Sequence, residues 1–229
     1  MTSTPTIVLV DNRDSFVYNL LDACATVTAE RGARLSVVRN SVSPEEVLAL
    51  EPSLVVLSPG PGHPSTSGRL PEIVDACFER GVPLLGICLG FQAILEHFGG
   101  QVGRCGAVHG VTDDIALTLS GEGSPLFRGL AGGSGAAPTL PVARYHSLGW
   151  RRAPRHVEAL AWGTSEQGPV LMAGQTRSRA AGGPGPSVGF QFHPESILSP
   201  VGPSLLERTI DALLNEAPTP GAGRAATND

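Results

Sequence analysis

A cysteine lies between two glycines in the segment Leu84–Gly90, which reads LLGICLG. The apolar run before Cys88 is typical of a buried strand, and the residues after it have helical spacing. A glycine lies two residues before the cysteine and another two residues after it. Such small residues are typical of a sharp strand-to-helix turn, in which the nucleophile has a strained backbone and an exposed side chain. At the start of a helix the dipole favours a thiolate, and we expect the backbone N–H of Leu89 to face the attacked carbonyl group. Without other signals, an inert buried cysteine is an equally good interpretation of Cys88.

A histidine and a glutamate are separated by one proline in the segment Gly189–Ser196, which reads GFQFHPES. In an extended segment, residues two apart point to the same side, so Glu195 can lie beside His193. Pro194 biases His193 away from helical conformation. A carboxylate that orients an imidazole forms the base half of a nucleophilic triad. A surface turn with a structural histidine explains the motif equally well alone, but together with the cysteine turn the triad is favoured.

A loop rich in glycine and proline, Ser58–Pro64 with the sequence SPGPGHP, follows another predicted strand. Its glycines would let backbone N–H groups approach a substrate closely and complete an oxyanion hole with Leu89. A plain tight turn is the alternative. A phosphate-binding loop fits poorly because no Gly-Lys-Ser/Thr follows.

Alternating strands and helices must position these motifs. Apolar β-rich runs alternate with segments of helical spacing through the first hundred residues, which predicts a doubly wound, largely parallel sheet with helices on both faces. In such sheets the working site lies beyond the carboxyl ends of the strands. The predicted elements are Thr6–Val10, Phe16–Arg31, Arg34–Arg39, Ser43–Glu46, Ser53–Ser58, Leu70–Arg80, Pro83–Ile87 and Gly90–Phe98.

Shorter strand-like segments follow from about Thr112, and we interpret them as antiparallel additions to the same core. The helix Pro203–Asn215 closes the fold. We therefore predict one α/β domain over residues 1–216, with an open, mostly parallel sheet flanked by helices and a smaller antiparallel extension. Residues 217–229 are predicted to be a disordered tail, and Gly129–Pro141 and Ala180–Ser187 to be exposed loops. The short strands are Ile115–Leu119, Val142–Tyr145, Val157–Ala161, Val170–Ala173 and Val188–Phe192.

The amino-acid composition argues against several classes of function. With 16 Lys and Arg against 21 Asp and Glu, the net charge of −5 argues against nucleic acid or an anionic membrane as partner. Neither a signal peptide nor a membrane-spanning segment is predicted. The four cysteines are widely spaced and form no C-x-x-C pair, which argues against a disulfide framework and a zinc knuckle, and Cys24, Cys77 and Cys105 are interpreted as packing residues. A reducing, cytoplasmic location is expected.

The three motifs, in this order and at these separations, resemble those of class I (triad-type) glutamine amidotransferases. The segments Val10–Asn12, Asp14–Leu20 and Arg144–Leu148 (RYHSL) are similar to the amidotransferase component of anthranilate synthases, and the likeness extends over roughly residues 6–215. The resemblance implies that Cys88 is the nucleophile and that His193 and Glu195 complete the triad. It implies glutamine-contacting positions, with the oxyanion-hole residue Leu89 beside them, at Gly60, Pro61, Gly62, Gln92, Ser147 and Leu148.

The resemblance also implies an activity. A glutamine amidotransferase subunit would hydrolyse glutamine to glutamate and ammonia and pass the ammonia to a chorismate-binding synthase subunit that makes anthranilate for tryptophan biosynthesis. No metal or organic cofactor is expected on this chain. Three alternatives stay open: a subunit of 4-amino-4-deoxychorismate synthase or one shared by both enzymes, a free-standing hydrolase with a cysteine nucleophile, and a non-catalytic binding subunit.

Two positions depart from the family pattern. Phe91 stands where many relatives have histidine, and Val111 where many have lysine, so details of the substrate pocket and of the partner-facing surface are open. Histidines outside the triad motif, His63, His109 and His146, are interpreted as local structure. Trp150, Trp162 and Phe192 are interpreted as core residues.

Overall fold

The structure is a computed structural model that describes residues 4–15, 17–133, 135–176 and 185–216. The predicted tail 217–229 lies outside the described residues, as do residues 180–184 of the predicted loop Ala180–Ser187. Within the described ranges, no helix is long and apolar enough to cross a membrane.

Strands and helices alternate through the first half of the chain and give way to strands in the second. The strands are β1 (Thr6–Asp11), β2 (Arg34–Arg39), β3 (Leu54–Leu57), β4 (Leu84–Ile87), β5 (Gly103–Arg104), β6 (Val111–Leu117), β7 (Thr139–Arg144), β8 (Leu148–Gly149), β9 (Val157–Ser165), β10 (Gly168–Thr176) and β11 (Ser187–Phe190). The helices are α1 (Val17–Arg31), α2 (Pro44–Leu48), α3 (Leu70–Arg80), α4 (Leu89–His97), α5 (Leu119–Gly123) and α6 (Gly202–Glu216), with a 3-10 helix at Pro64–Thr66.

Among the described residues, nine strands form one sheet in the order β2-β1-β3-β4-β11-β10-β9-β6-β7. The strands from β2 to β11 in this order are parallel to one another, and those from β10 to β7 are antiparallel. The short strands β5 and β8 pair separately. A mostly parallel sheet with an antiparallel extension was predicted, and this prediction is confirmed.

One strand differs from the prediction. The segment Val188–Phe192 was interpreted as an antiparallel addition, but β11 pairs in parallel with β4 and antiparallel with β10, so it joins the two halves of the sheet. Every residue of β11 is buried. A strand buried on both faces has no alternating pattern that would distinguish a central parallel strand from an outer one.

Helices cover both faces of the parallel half, and the residues of β1 alternate between them. Ile7 and Leu9 pack with Leu20 of α1 and Leu213 of α6 in one hydrophobic cluster. Val8 and Val10 belong to a second cluster that includes residues of α2, α3 and α4. This alternation follows from the period of two in a strand, and it confirms the doubly wound arrangement.

The carboxyl ends of β1, β3, β4 and β11 lie at one edge of the sheet, because these neighbouring strands run in parallel. The loops and the turn that follow the four strands carry the predicted motifs. They contain Asn12–Ser15, Ser58–Gly62, Cys88 and Gln191–Glu195.

Candidate active site

Cys88 occupies a strained turn between β4 and α4. Its backbone has φ 49° and ψ −102°, a conformation that costs a non-glycine residue about 1–3 kcal/mol and is characteristic of functional sites. A Cβ atom on Gly86 would lie 2.7 Å from the backbone of Gly90, and one on Gly90 would lie 2.3 Å from the carbonyl oxygen of Leu57. The backbone N–H of Cys88 donates to the carbonyl of Phe190 at 2.7 Å. The turn therefore depends on both glycines and is held by the neighbouring strand β11.

His193 and Glu195 form a buried pair. Nδ1 of His193 lies 2.6 Å from Oε1 of Glu195, and the two side chains are 6% and 1% exposed. The ring of Tyr145 packs edge-on against the imidazole with centroids 5.1 Å apart. The backbone N–H of His193 donates to the carbonyl of Ala143, and the hydroxyl of Ser199 donates to the carbonyl of His193. These contacts leave the imidazole little freedom to rotate.

Opposing effects act on the imidazole of His193. Burial by itself would lower the pKa of His193, but its hydrogen bonds to Cys88 and Glu195 and the charges of those two groups hold the pKa well above the usual range. Because one nitrogen bonds to the carboxylate, the other is free to exchange a proton with the thiol. This arrangement can hold a thiolate beside an imidazolium, as nucleophilic catalysis requires.

A cavity of about 320 Å³ opens at this edge of the sheet. A groove of about 410 Å³ lies between α1 and α6 and reaches Glu195 from another side, but none of the residues that line it is a cysteine. The smaller cavity is the candidate active site because Cys88 and His193 both line it. Its lining residues are Arg13, Asp14, Ser15, Pro59, Gly60, Pro61, Cys88, His109, Tyr145 and His193.

Comparison with known proteins gives the family of the chain. The model of the family "Glutamine amidotransferase class-I" matches residues 8–213. This chain belongs to the class I glutamine amidotransferases. Two solved structures share the fold: a glutamine amidotransferase from Thermotoga maritima (TM-score 0.68, 18% identity, 93% of this chain and 99% of that chain covered) and a glutamine amidotransferase from Methylobacillus flagellatus (TM-score 0.69, 13% identity, 99% and 100% covered).

Several curated relatives are named anthranilate synthase component 2. The protein from Corynebacterium glutamicum is 45% identical over 216 residues, which cover 91% of this chain and 98% of that protein. The protein from Thermococcus kodakarensis is 39% identical, with 84% and 88% covered, and that from Haemophilus influenzae is 36% identical, with 91% and 98% covered.

The positions predicted to contact glutamine have different settings in this structure. Gly60 and Pro61 line the cavity, and a Cβ atom on Gly60 would lie 2.8 Å from the side chain of Leu89, so the glycine loop packs closely against that side chain. Gln92 is buried and donates its amide N–H to the carbonyl oxygen of Leu148 at 3.0 Å.

Gly62 and Ser147 are exposed and are not among the residues that line the cavity. Gly62 has φ 84°, a conformation that favours glycine. The carbonyl of Ser147 accepts the backbone N–H of Cys105 at 3.0 Å. The roles of all these predicted positions and of Leu89 in binding glutamine stay predictions.

The sequence prediction interpreted His109 as local structure and assigned no site role to any of five residues of the cavity wall: Arg13, Asp14, Ser15, His109 and Tyr145. The first three follow β1, where Asp11 accepts the backbone N–H groups of Arg13 and Asp14 at 2.7 and 3.2 Å. Polar residues directly after the first parallel strand could have indicated a contribution to the site, since ligands bind beyond the carboxyl ends of such strands. His109 and Tyr145 reach the cavity from loops in the antiparallel part of the chain, and no local pattern indicated this.

The remaining three cysteines are in settings that make their thiols unreactive. Cys24, Cys77 and Cys105 are fully buried free thiols. Burial raises the pKa of both Cys24 and Cys77 to about 12 and also raises the pKa of Cys105. Because the thiolate is the reactive form, these residues are inert packing groups, as predicted.

His146 belongs to a buried network behind the cavity. Its Nδ1 donates to the carbonyl of Leu148 at 3.0 Å, and its Nε2 accepts from Arg144 at 3.3 Å. Arg144 is ion-paired with Asp113. Burial, together with the charge of Arg144, lowers the pKa of His146 to about 4. The interpretation of His146 as a structural residue is therefore confirmed, and the residue is neutral at physiological pH.

The two departures from the family pattern have different settings. Phe91 is fully buried, and a Cβ atom on Gly189 would lie 1.9 Å from its ring. Trp150 and Trp162 pack against the same small cluster. Phe91 is thus a core residue of α4 outside the cavity lining, whereas Val111 is 46% exposed at the start of β6.

Proposed function

We propose that this chain is the glutamine amidotransferase subunit of anthranilate synthase. The observation that carries the proposal is 45% identity to the Corynebacterium glutamicum component 2 over 98% of that protein, with Cys88, His193 and Glu195 grouped at one site. In this role the chain hydrolyses glutamine to glutamate and ammonia, works in the cytoplasm, and passes the ammonia to a chorismate-binding synthase subunit for tryptophan biosynthesis.

The first half of the reaction forms a thioester. The thiolate of Cys88 attacks the side-chain amide carbon of glutamine, and backbone N–H groups near Gly60 and Leu89 stabilise the oxyanion. The carbon–nitrogen bond then breaks, and the imidazolium of His193 gives its proton to the departing ammonia. Glu195 keeps the imidazole in the orientation and tautomer that this transfer needs.

The second half releases glutamate. The now neutral His193 takes a proton from a water molecule whose oxygen attacks the γ-glutamyl thioester. The carbon–sulfur bond breaks, and its electron pair returns to the sulfur of Cys88, which restores the thiolate and imidazolium. Every step uses side chains and backbone groups of this chain, so the proposed mechanism involves no metal or organic cofactor.

Glutamine would lie in the 320 Å³ cavity. Gly60 and Pro61 support this placement because they line the cavity together with Cys88 and His193. Gln92 and Leu148 are hydrogen-bonded to each other, so they would contact the bound glutamine together. Gly62, Leu89 and Ser147 complete the proposed set of substrate-binding residues.

A docked partner is required by the chemistry of ammonia, which is mostly protonated at neutral pH and would be lost to solvent. Three exposed apolar side chains follow site residues closely in the sequence, and we propose that they belong to the docking surface. Ile197 is 94% exposed two residues after Glu195, Tyr18 is 76% exposed three residues after Ser15, and Val111 follows the cavity residue His109 by two residues. Exposed apolar side chains that form a contiguous patch commonly mark an interaction surface.

The catalytic part of the proposal is tested with Cys88→Ser in the assembled synthase complex. Product formation from glutamine should fall by about 1,000-fold or more, because the serine hydroxyl is a poor nucleophile without the thiolate. Product formation from added ammonium salt should stay unchanged, since the acceptor reaction occurs on the partner. Glutamine-dependent activity within a few-fold of wild type would refute the nucleophile assignment.

The identity of the partner is tested by steady-state glutamine hydrolysis with purified synthase chains for anthranilate and for 4-amino-4-deoxychorismate, each with and without chorismate. Stimulation by the anthranilate partner alone supports the proposal. Stimulation by both indicates a shared subunit. Full turnover by the isolated chain, unchanged by either partner, would point to a free-standing hydrolase.

A further inference from the structure

A buried glutamine at the carboxyl end of β11 contacts the proposed nucleophile. Gln191 directly follows this strand, and its side chain is completely inaccessible to solvent. Its amide nitrogen Nε2 lies 3.5 Å from Sγ of Cys88 and donates to it. Neither the resemblance to the family nor the proposed reaction uses Gln191, although it touches the reacting sulfur.

The orientation of this amide is determined by its neighbours. Nε2 of Gln92 donates to Oε1 of Gln191 at 3.1 Å and to the carbonyl of Leu148 at 3.0 Å. Because Gln92 presents a donor, the oxygen end of Gln191 must face it, which leaves the N–H end facing Cys88. The backbone N–H of Gln191 is bonded to the carbonyl of Met172 at 2.9 Å, so the residue is anchored at both ends.

We propose that Gln191 is a further catalytic residue whose amide N–H stabilises the thiolate of Cys88, as a second donor beside His193. This inference rests on the proposed function, since it concerns the same nucleophile. A fixed neutral donor favours S⁻ over S–H, because a hydrogen bond to a charged acceptor is stronger than one to a neutral acceptor. It also differs from His193 in keeping its proton throughout the cycle.

The same N–H acts at two points of the reaction. Before attack, it stabilises the thiolate, whose proton is on His193. When water adds to the thioester and the carbon–sulfur bond breaks, the electron pair returns to sulfur, and the N–H of Gln191 is already in place to stabilise the negative charge. Removing the donor should therefore slow both formation and hydrolysis of the thioester.

The test is the rate at which iodoacetamide alkylates Cys88 in the full chain, followed by mass spectrometry between pH 5 and pH 10. Alkylation of the native protein reports on Cys88 because Cys88 lines the cavity, whereas Cys24, Cys77 and Cys105 are fully buried. Gln191→Met removes the donor with little change in volume. At neutral pH its alkylation rate should fall about 10-fold, and the half-maximal rate should move about one unit to higher pH.

Gln191→Glu keeps the size of the side chain and serves as the second variant. Its carboxylate should repel the thiolate, so alkylation should be slower than in wild type. Gln175→Met is the matched control, because Gln175 lies on the adjacent strand β10 and donates to Glu158, remote from the sulfur. The control should alkylate at the wild-type rate, and circular dichroism should show that each variant is folded.

Alkylation of folded Gln191→Met and Gln191→Glu within two-fold of wild type across the pH range would overturn the inference. If Gln191→Met does not fold, the isosteric Gln191→Glu decides by the same criterion. A wild-type Cys88 that reacts no faster than a thiol of the unfolded chain would instead count against the proposed function. The two failures are therefore distinguishable.

Discussion

At the scale of single residues, the candidate site depends on where His193 is held. Its imidazole lies between a thiol and a carboxylate, is packed against the ring of Tyr145, and is almost fully buried. In the proposed reaction each neighbour has a separate effect: the carboxylate orients the ring, the thiol exchanges a proton with it, and burial excludes water. The three side chains therefore should contribute unequally to the rate.

We expect His193→Ala to be more damaging than Glu195→Gln. The histidine transfers protons in both halves of the proposed reaction, whereas the carboxylate orients the imidazole through one 2.6 Å contact. His193→Ala should approach Cys88→Ser in severity, and Glu195→Gln should retain roughly 10- to 100-fold more glutamine-dependent activity. The measurement is kcat for glutamine hydrolysis in the complex, with ammonium-dependent activity as control. Equal losses would mean that Glu195 has a different task.

The buried His146 predicts a pH dependence of stability. Burial and Arg144 lower its folded-state pKa to about 4, against about 6.5 in the unfolded chain. Between these values the unfolded chain binds more protons, so the contribution of His146 is fully present above pH 6.5 and is lost as pH falls towards 4. The loss is about 3 kcal/mol in the free energy of unfolding.

The measurement for His146 is urea denaturation of wild type and His146→Gln from pH 7 to pH 4. Glutamine can both donate and accept, as neutral histidine does, but it does not titrate. The variant should lose less stability over this range than wild type. Parallel curves for the two proteins would contradict the buried neutral assignment.

At the scale of elements, the turn between β4 and α4 requires close backbone contact. Gly90 places the first turn of α4 directly against Leu57 of β3, and Gly86 leaves room for the backbone that follows Cys88. Closely packed backbones cannot relax as a flexible side chain can, so an added methyl group would have to displace a whole element. The strained conformation of Cys88 is therefore maintained by packing on both sides.

We expect Gly90→Ala to be destabilising even though alanine is the better helix former. The gain from helix propensity is about 1 kcal/mol, whereas a Cβ atom 2.3 Å from the carbonyl oxygen of Leu57 must move backbone, which costs about 1–3 kcal/mol or more. Glutamine hydrolysis should fall as well, because α4 carries Leu89 and begins at Cys88.

Gly123→Ala is the matched control, since Gly123 ends the helix α5 and a Cβ atom there would meet nothing within 4 Å. It should leave stability unchanged or raise it by about 0.4–1 kcal/mol. Urea denaturation and glutamine hydrolysis measure both variants. Equal stability of Gly90→Ala and wild type would show that the turn tolerates displacement.

At the scale of the whole molecule, the candidate site draws on both halves of the sheet. β1, β3, β4 and β11 bring the cysteine, the glycine loop and the histidine to one edge, and His109 and Tyr145 come from the antiparallel part. The exposed apolar residues that follow site residues in the sequence, among them Ile197, form the docking surface that we propose for the synthase partner.

Ile197→Glu should weaken binding of the synthase partner by at least about 10-fold, because a charge would be placed where an apolar side chain is buried on docking. Leu119→Glu is the control, since Leu119 is similarly exposed but begins α5, which packs on β9 and β6. Both variants should keep the wild-type melting temperature within a few degrees. Isothermal titration calorimetry with the partner measures affinity, and equal binding by both variants would exclude the face around Ile197.

The sequence by itself determined the elements whose signals are local. The repeated strand–helix pattern predicted the parallel half of the sheet, and Gly86, Cys88 and Gly90 predicted the strained turn, because periodicity and steric limits act within a few residues. Boundaries in the antiparallel part were less accurate: β6 begins at Val111 instead of Ile115, and the helix α5 was not predicted. There, short strands and turns lack a sustained period.

Only the tertiary structure decided the contacts between distant segments. The parallel pairing of β11 with β4 places Phe190 beside Ile87, and this register brings Gln191 against Cys88 and His193 within reach of the same sulfur. Tyr145 likewise contacts His193 only because β7 ends near the loop after β11. Such contacts depend on strand order and register, which arise from packing of the whole core and leave no pattern in any single segment.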